Sequence, residues 1–235
     1  MVRKRASIVL SVLAFLLPAA QAQRLSLDLR TTAGHNYAQG GYASVGALGC
    51  YRPDSAVAVR FGVQCGTGAV MAYTADWTAA MRLGSVKLQL VSKGLWRRFA
   101  GWHIDEFSGL VAIGIGWRGW DVHVGLASRM MADSRTAWLD ERTGWLSEPF
   151  NLMYELRYKA WFGTRRRWLG ELAVANYDDF VIDRAYQPLF SCSAGWLVSE
   201  KVELAARAVL HPTGMLSLSA NYYEAWFNIQ MILKW

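Results

Sequence analysis

Four histidines and the acids near them are the side chains best suited to chemistry in this chain. His103 stands just before Asp105 and Glu106, and Asp140 and Glu141 follow further on. If these groups converged, they would suit general acid–base work. His35, His123 and His211 are the other three. No serine or aspartate stands around them at a nucleophile's spacing, and a polar loop residue is the commoner role for such a histidine. Gly114, Gly116 and Gly119 match a Gly-x-Gly-x-x-Gly pattern. That pattern holds a dinucleotide when its last glycine opens a helix that receives the pyrophosphate. Here Trp120 opens a strand-like stretch, so the glycines are expected to thin one strand face and make a tight turn. Cys50, Cys65 and Cys192 are odd in number and widely spaced. Such cysteines form neither a metal site nor a disulfide framework, and they read as small apolar side chains. No catalytic residue, metal site or cofactor is assigned.

The elements that must position these groups have a period of two. In residues 150–162, Phe150, Leu152, Tyr154, Leu156, Tyr158, Ala160 and Phe162 alternate with Asn151, Glu155, Arg157, Lys159 and Trp161. Residues 202–211 set Val202, Leu204, Ala206, Ala208 and Leu210 against Glu203, Arg207 and His211. Strict alternation marks strands with one wet and one dry face. Twelve are expected: 24–34, 41–51, 56–66, 69–83, 85–98, 105–117, 120–131, 148–162, 167–178, 186–198, 201–211 and 223–235. Many exceed the usual 5–6 residues and match the roughly 9–11 needed to cross a bilayer at a tilt. Aromatic residues gather at strand ends, namely Trp117, Trp120, Phe150, Phe162, Trp168, Tyr186, Trp196, Tyr223 and Trp235. Rings at both interfaces are the girdles of a membrane barrel. A sheet in hydrocarbon must close, because unpaired edge groups cost several kcal/mol each. The expected fold is therefore all-β: one transmembrane antiparallel up-and-down barrel of about twelve strands, with ten or fourteen as the neighbouring counts.

Two ends of the sequence bear on location. Arg3, Lys4 and Arg5 precede an apolar run and the small-x-small triplet Ala20, Gln21, Ala22. This order describes a secretory signal peptide over 1–22, cut before Gln23. Three of the 25 Lys and Arg, and none of the 18 Asp and Glu, fall in it, which leaves a mature net charge of +4. Arg165, Arg166 and Arg167 form the only tight basic run after it, so a nucleic-acid partner is not expected. The final stretch carries Tyr223, Phe227, Ile229, Met231, Leu233 and Trp235 on one face. An exported chain that finishes on such a strand resembles the outer-membrane β-barrel proteins of Gram-negative bacteria. That resemblance implies an outer-membrane location, contact with outer-membrane lipid and reading of the last strand by the barrel-assembly machinery. The cleavage region, with "RLG" at 82–84 and "HPTG" at 211–214, resembles small barrels of Bacteroides-type bacteria.

The expected strands alternate short turns with longer links at 35–40, 99–104, 132–147, 179–185 and 212–222. The link at 67–68 is too short for the long-link side. This topology sets His35, His103 and His211 at the external rim and His123 within a strand. Alternation turns Arg30, Arg60, Arg82, Lys87, Arg129, Glu155, Arg157, Lys159, Glu171 and Arg207 toward the lumen. A basic lining would favour anions in a wet channel. The same charges bridging across a narrow barrel would instead fill and close it. In the longest link, Trp138 and Trp145 flank Asp140, Glu141 and Arg142, a set able to recognise a sugar or a partner protein, or to pack as a lid. Three functions follow in order: a narrow channel for small hydrophilic solutes, anions among them; a closed structural or accessory barrel in a surface, uptake or secretion complex; and a lipid-modifying or rim hydrolase.

Overall fold

The computed structural model describes residues 25–37, 40–67, 70–100, 103–133, 145–163, 167–212 and 222–235. The expected signal peptide lies outside the described residues. Twelve strands run in chain order: β1 (Leu25–Asn36), β2 (Gly40–Tyr51), β3 (Val57–Gly66), β4 (Val70–Leu83), β5 (Val86–Phe99), β6 (Ile104–Trp117), β7 (Trp120–Asp133), β8 (Trp145–Phe162), β9 (Trp168–Ala175), β10 (Leu189–Leu197), β11 (Val202–Pro212) and β12 (Tyr222–Lys234). Each pairs antiparallel with the next, and β12 pairs with β1 to close the barrel. The seam runs from Ser26 opposite Lys234 to Asn36 opposite Glu224. Beyond it the Trp235 amide donates to the Leu25 carbonyl at 2.9 Å. Closure leaves no strand edge to hydrocarbon, which is what a bilayer demands of a sheet.

The two faces of the wall differ as alternation requires. Phe61, Val111, Ile113, Leu126, Leu172 and Ile229 are exposed on the outside, with Ile113 at 70%. At the end bearing the two-residue turns, Trp117 faces Trp120 across β6 and β7. There Trp120 lies 4.7 Å from Tyr158, and Trp168 stacks on Trp196 at 5.8 Å. At the opposite end Tyr73, Trp96 and Phe107 form a second stack. Phe150 and Tyr186 do not stand at strand ends. Phe150 falls inside the 18-residue β8, and Tyr186 lies in the link between β9 and β10. The cysteines are free; Cys50 is buried, and Cys65 and Cys192 are exposed.

Local chemistry explains the turns. Asp54 Oδ1 accepts from the Ala56 and Val57 amides, an Asx turn that returns the chain into β3. Gly84 and Gly119 have positive φ in their two-residue turns, the conformation such hairpins require. The short link between Gly66 of β3 and Val70 of β4 stands at the long-link end. One irregularity alters which residues face inward. The register between β7 and β8 shifts between Ala127 and Arg129, opposite Pro149. Proline cannot donate to a ladder and concentrates at bulges, and a bulge reverses the faces beyond it. Glu148 consequently points into the lumen, although simple alternation places it outside.

The main departure from the expected topology concerns β9 and β10, the two shortest strands, with 8 and 9 residues. The expected strands 167–178 and 186–198 continue up the wall. The chain instead leaves the wall after Ala175 and rejoins it at Leu189. Asn176 diverts it. Its side-chain amide donates to the Leu152 and Asp183 carbonyls, and its Oδ1 accepts from the Tyr154 amide. The side chain thus takes over edge contacts of β8 that a continuing β9 would make. The intervening residues 176–188 fold back into the barrel.

Candidate functional site: a lumen spanned by an inward loop

The loop over 176–188 reaches across the lumen and is anchored by charge. Asp179 Oδ2 lies 3.0 Å from Arg30 Nη1 on β1, and its Oδ1 lies 3.1 Å from Arg60 Nη1 on β3. Lys93 on β5 approaches the same carboxylate at 3.9 Å and donates to the Asp178 carbonyl at 2.7 Å. Arg207 on β11 bonds both Asp178 carboxylate oxygens, at 2.9 and 3.0 Å. Four cations from four strands therefore converge on two adjacent aspartates. Burial pushes the Asp179 carboxyl up, but the charges of Arg60, Arg30, Lys93 and Arg207 outweigh it and hold that carboxyl well below the usual carboxylate range. The wall contributes two more acids: Asp28 pairs with Arg30, and Asp76 accepts from Arg60 Nε at 2.8 Å.

Apolar side chains complete the anchor. Phe180 and Ile182 are buried in one cluster with Leu48, Leu95, Leu110 and Met153 of the wall. The Arg30 guanidinium lies 5.7 Å from the centre of the Phe180 ring. Tyr177 donates to Glu155 Oε2 at 2.9 Å, and burial, reinforced by the Glu155 charge, pushes its phenol up. At the loop's outer shoulder Arg184 pairs with Glu148, and this bond raises the guanidinium further. Arg129 meets the same carboxylate at 3.1 Å. Above the loop, toward the long-link end, a cavity of about 500 Å3 is lined by Tyr42, Arg97, Asp183, His211 and Glu224, with Arg30 and Phe180 among its walls.

All ten expected lining residues lie on the lumen side of their strands, but their partners differ from a bare basic lining. Arg157 pairs with Glu155 and Glu171, and Lys159 with Glu171 at 3.2 Å. Glu155 also takes His123 Nδ1 at 2.8 Å. Arg82 and Lys87 oppose each other at the short-turn mouth, where Lys87 donates to Gln89 and Gln89 to Asp121. Arg30, Arg60 and Arg207 belong to the loop socket. Lys93, Arg97, Asp76, Glu148, Asp178 and Asp179 complete the network and were not singled out from sequence. Lys93 was accessible to simple alternation along β5. The aspartates were signalled by the apolar run of Phe180, Val181 and Ile182, unusual for a link exposed to water.

Among the described residues, two acid–base candidates do not converge. Asp105 and Glu106 are neighbours on β6 and point to opposite faces: Asp105 accepts from Trp96 on the outside, and Glu106 takes Arg97 within. Asp140, Glu141, Trp138 and Arg142 lie outside the described residues, as does the side chain of Trp145. His211 is wholly buried, with Nε2 3.5 Å from Asp183. The glycine pattern thins the inner wall as expected. A Cβ on Gly114 would stand 2.1 Å from the His123 ring, and one on Gly116 2.7 Å from Asp121 Oδ1. Of the last-strand residues, Phe227, Ile229, Met231 and Trp235 are exposed on the outer face.

A closed antiparallel barrel, apolar without and charged within, is an outer-membrane β-barrel in architecture. The comparisons agree. Its fold is similar to that of the KdgM porin in complex with disordered oligogalacturonate, with TM-score 0.54, 7% identity, and coverage of 89% of this chain and 99% of that one. The NanC porin is similar at TM-score 0.53 and 8% identity, over 89% and 100%. No protein-family model matches the chain. No curated protein matches it in sequence either.

Proposed function

We propose that the chain is a narrow outer-membrane channel for small hydrophilic solutes, with a preference for anions. The carrying observation is the row of basic side chains on the lumen wall, of which Arg60, Arg157 and Lys159 stay about a third exposed, reached from a cavity at one end. Cationic rings at a constriction favour anions, and the loop over 176–188 supplies the constriction. The KdgM porin, similar in fold, is described in complex with an oligogalacturonate, an acidic sugar polymer; a basic lumen here suits solutes of that charge. In this reading the short turns face the periplasm and the cavity faces outward, in the outer membrane of a Gram-negative bacterium.

The test is single-channel recording in a planar bilayer under asymmetric salt. Discrete steps with a reversal potential on the anion side are expected. Silence from protein shown to be folded overturns the channel. The double variant Arg157→Gln and Lys159→Gln leaves Glu155 and Glu171 without these partners, so the reversal potential should move toward cations. Unchanged selectivity would remove those residues from the path.

A second reading, a closed accessory barrel, draws on the apolar cluster of Phe180 and Ile182, which occupies part of the cross-section. It predicts co-purifying partners that are lost when 138–145 is replaced by a short turn.

A further inference from the structure

We propose that Asp178 and Asp179 sit in an anion-binding socket in place of solute, and that a solute bearing two neighbouring carboxylates displaces the loop by taking their place. The geometry is that of a built site. Arg30 and Lys93 have side-chain exposures of only 6% and 3%. Among the described residues, Lys93 and Arg207 form ion pairs only with loop carboxylates. The wall acids Asp28 and Asp76 answer Arg30 and Arg60 alone. With the loop withdrawn, four cations, of which Arg30 and Lys93 are buried, would face two wall carboxylates. Buried cations without counter-charge are strongly disfavoured, so an incoming dianion has a strong reason to bind.

The loop's own attachment makes exchange feasible. Among the described residues, its one backbone–backbone bond to the wall is at Asn176, to the Tyr154 carbonyl at 3.2 Å. Beyond that it is held through side chains: its aspartates, Tyr177, Arg184 on Glu148, Lys93 and Tyr154 on its carbonyls, and a small apolar cluster. Asp178 and Asp179 share their cations, Lys93 reaching both residues and Arg207 on Asp178 also acting on the Asp179 charge, so the socket suits a compact dianion: a dicarboxylate, or two successive acidic sugars. The cavity above the loop brings solute to the Arg30 side of the socket. Regulation of flow by this exchange rests on the channel reading; the exchange itself does not.

The experiment follows tryptic cleavage after Arg184 in the full protein, by mass spectrometry, alongside conductance. In the docked loop the carbonyls on either side of Arg184 are held, Asp183 by Asn176 and Ala185 by Tyr154, so the segment cannot extend into a protease. Sodium succinate is the probe, with sodium acetate at equal ionic strength and succinamide as controls. A ligand at ten times its dissociation constant raises the open population about tenfold. Succinate should therefore speed cleavage by about that factor, and the controls should not. The double variant Asp178→Asn and Asp179→Asn should be cut rapidly without succinate and respond no further. If that variant fails to fold, the wild-type titration decides alone. Cleavage of wild-type protein that is indifferent to succinate, in a barrel that conducts, overturns the socket and leaves the channel standing. Succinate-dependent cleavage in a folded barrel that never conducts supports the socket and removes the channel.

Discussion

Replacing Phe180 by alanine tests the apolar half of the loop anchor separately from its charges. Phe180 is 7% exposed, packs with Ile182, Leu48, Leu95, Leu110 and Met153, and lies beneath the Arg30 guanidinium. Truncating a buried phenylalanine in a closed core costs about 3–5 kcal/mol. Here the vacated space adjoins a cavity of about 500 Å3, so water can enter and the cavity part of that cost shrinks. What remains is closer to the transfer term of about 1.5–3 kcal/mol, and we take about 2–4 kcal/mol for the whole. The loop can leave the lumen without breaking any of the twelve strand pairings, so this cost falls on docking rather than on the barrel. The docked-to-open equilibrium should then shift by about 30- to 1000-fold, since each 1.4 kcal/mol is a factor of ten. The assay is tryptic cleavage after Arg184, with urea unfolding of the barrel measured beside it. Cleavage should accelerate while the barrel's unfolding midpoint stays near wild type. Wild-type protease resistance in Phe180→Ala would refute the idea that burial holds the loop. A large drop in the unfolding midpoint would show that the loop is part of the barrel's global stability.

Two further outcomes follow from particular contacts. Because the Asp179 carboxyl is held below its ordinary range, its ionised form stabilises docking fully above the unfolded value near 4. That contribution fades only as pH falls through the lower, folded value, so protease protection of the loop should stay constant from pH 7 to about 4.5. Asp179→Asn should lower protection throughout that range, and loss of wild-type protection near pH 5 would contradict the electrostatic anchor. Gly114→Ala places a methyl group where the His123 ring lies. Overpacking of this kind costs about 1–3 kcal/mol, measurable as a lower urea midpoint. Adding His123→Ala should recover much of the loss, and strict additivity of the two changes would show that the ring is not the obstacle.

Much of the barrel was legible in the order of residues. Alternation in β1, β8, β11 and β12 located the strands within a few positions and assigned Arg30, Glu155, Arg157, Arg207 and Glu203 to the lumen. That success has a local cause. Side chains two residues apart share a face whatever the strand pairs with, so polarity along the chain reports the sides of the wall directly. Alternation also separates Asp105 from Glu106, which sets them on opposite faces and keeps the two from acting as one acid–base group. Where a local device changed the periodicity, the reading failed. The bulge at Pro149 turned Glu148 inward, and the Asn176 side chain ended β9 before its apolar pattern did.

The destination of the 176–188 loop belongs to the tertiary structure. Phe180, Val181 and Ile182 between charged residues say that this segment wants burial, but not where. Its receptor is assembled from Leu48, Leu95, Leu110 and Met153 on four strands, and the socket of Asp179 from Arg30, Arg60 and Lys93 on three. Those groups become neighbours only when β12 pairs with β1 and encloses a lumen. Before closure, the same arginines and lysine are separate charges on separate hairpins. A membrane barrel with a charged interior follows from near-neighbour alternation alone. Which of those charges faces solute, and which is already answered by the protein's own aspartates, depends on groups as far apart in the chain as Arg30 and Asp179 meeting across the enclosed space.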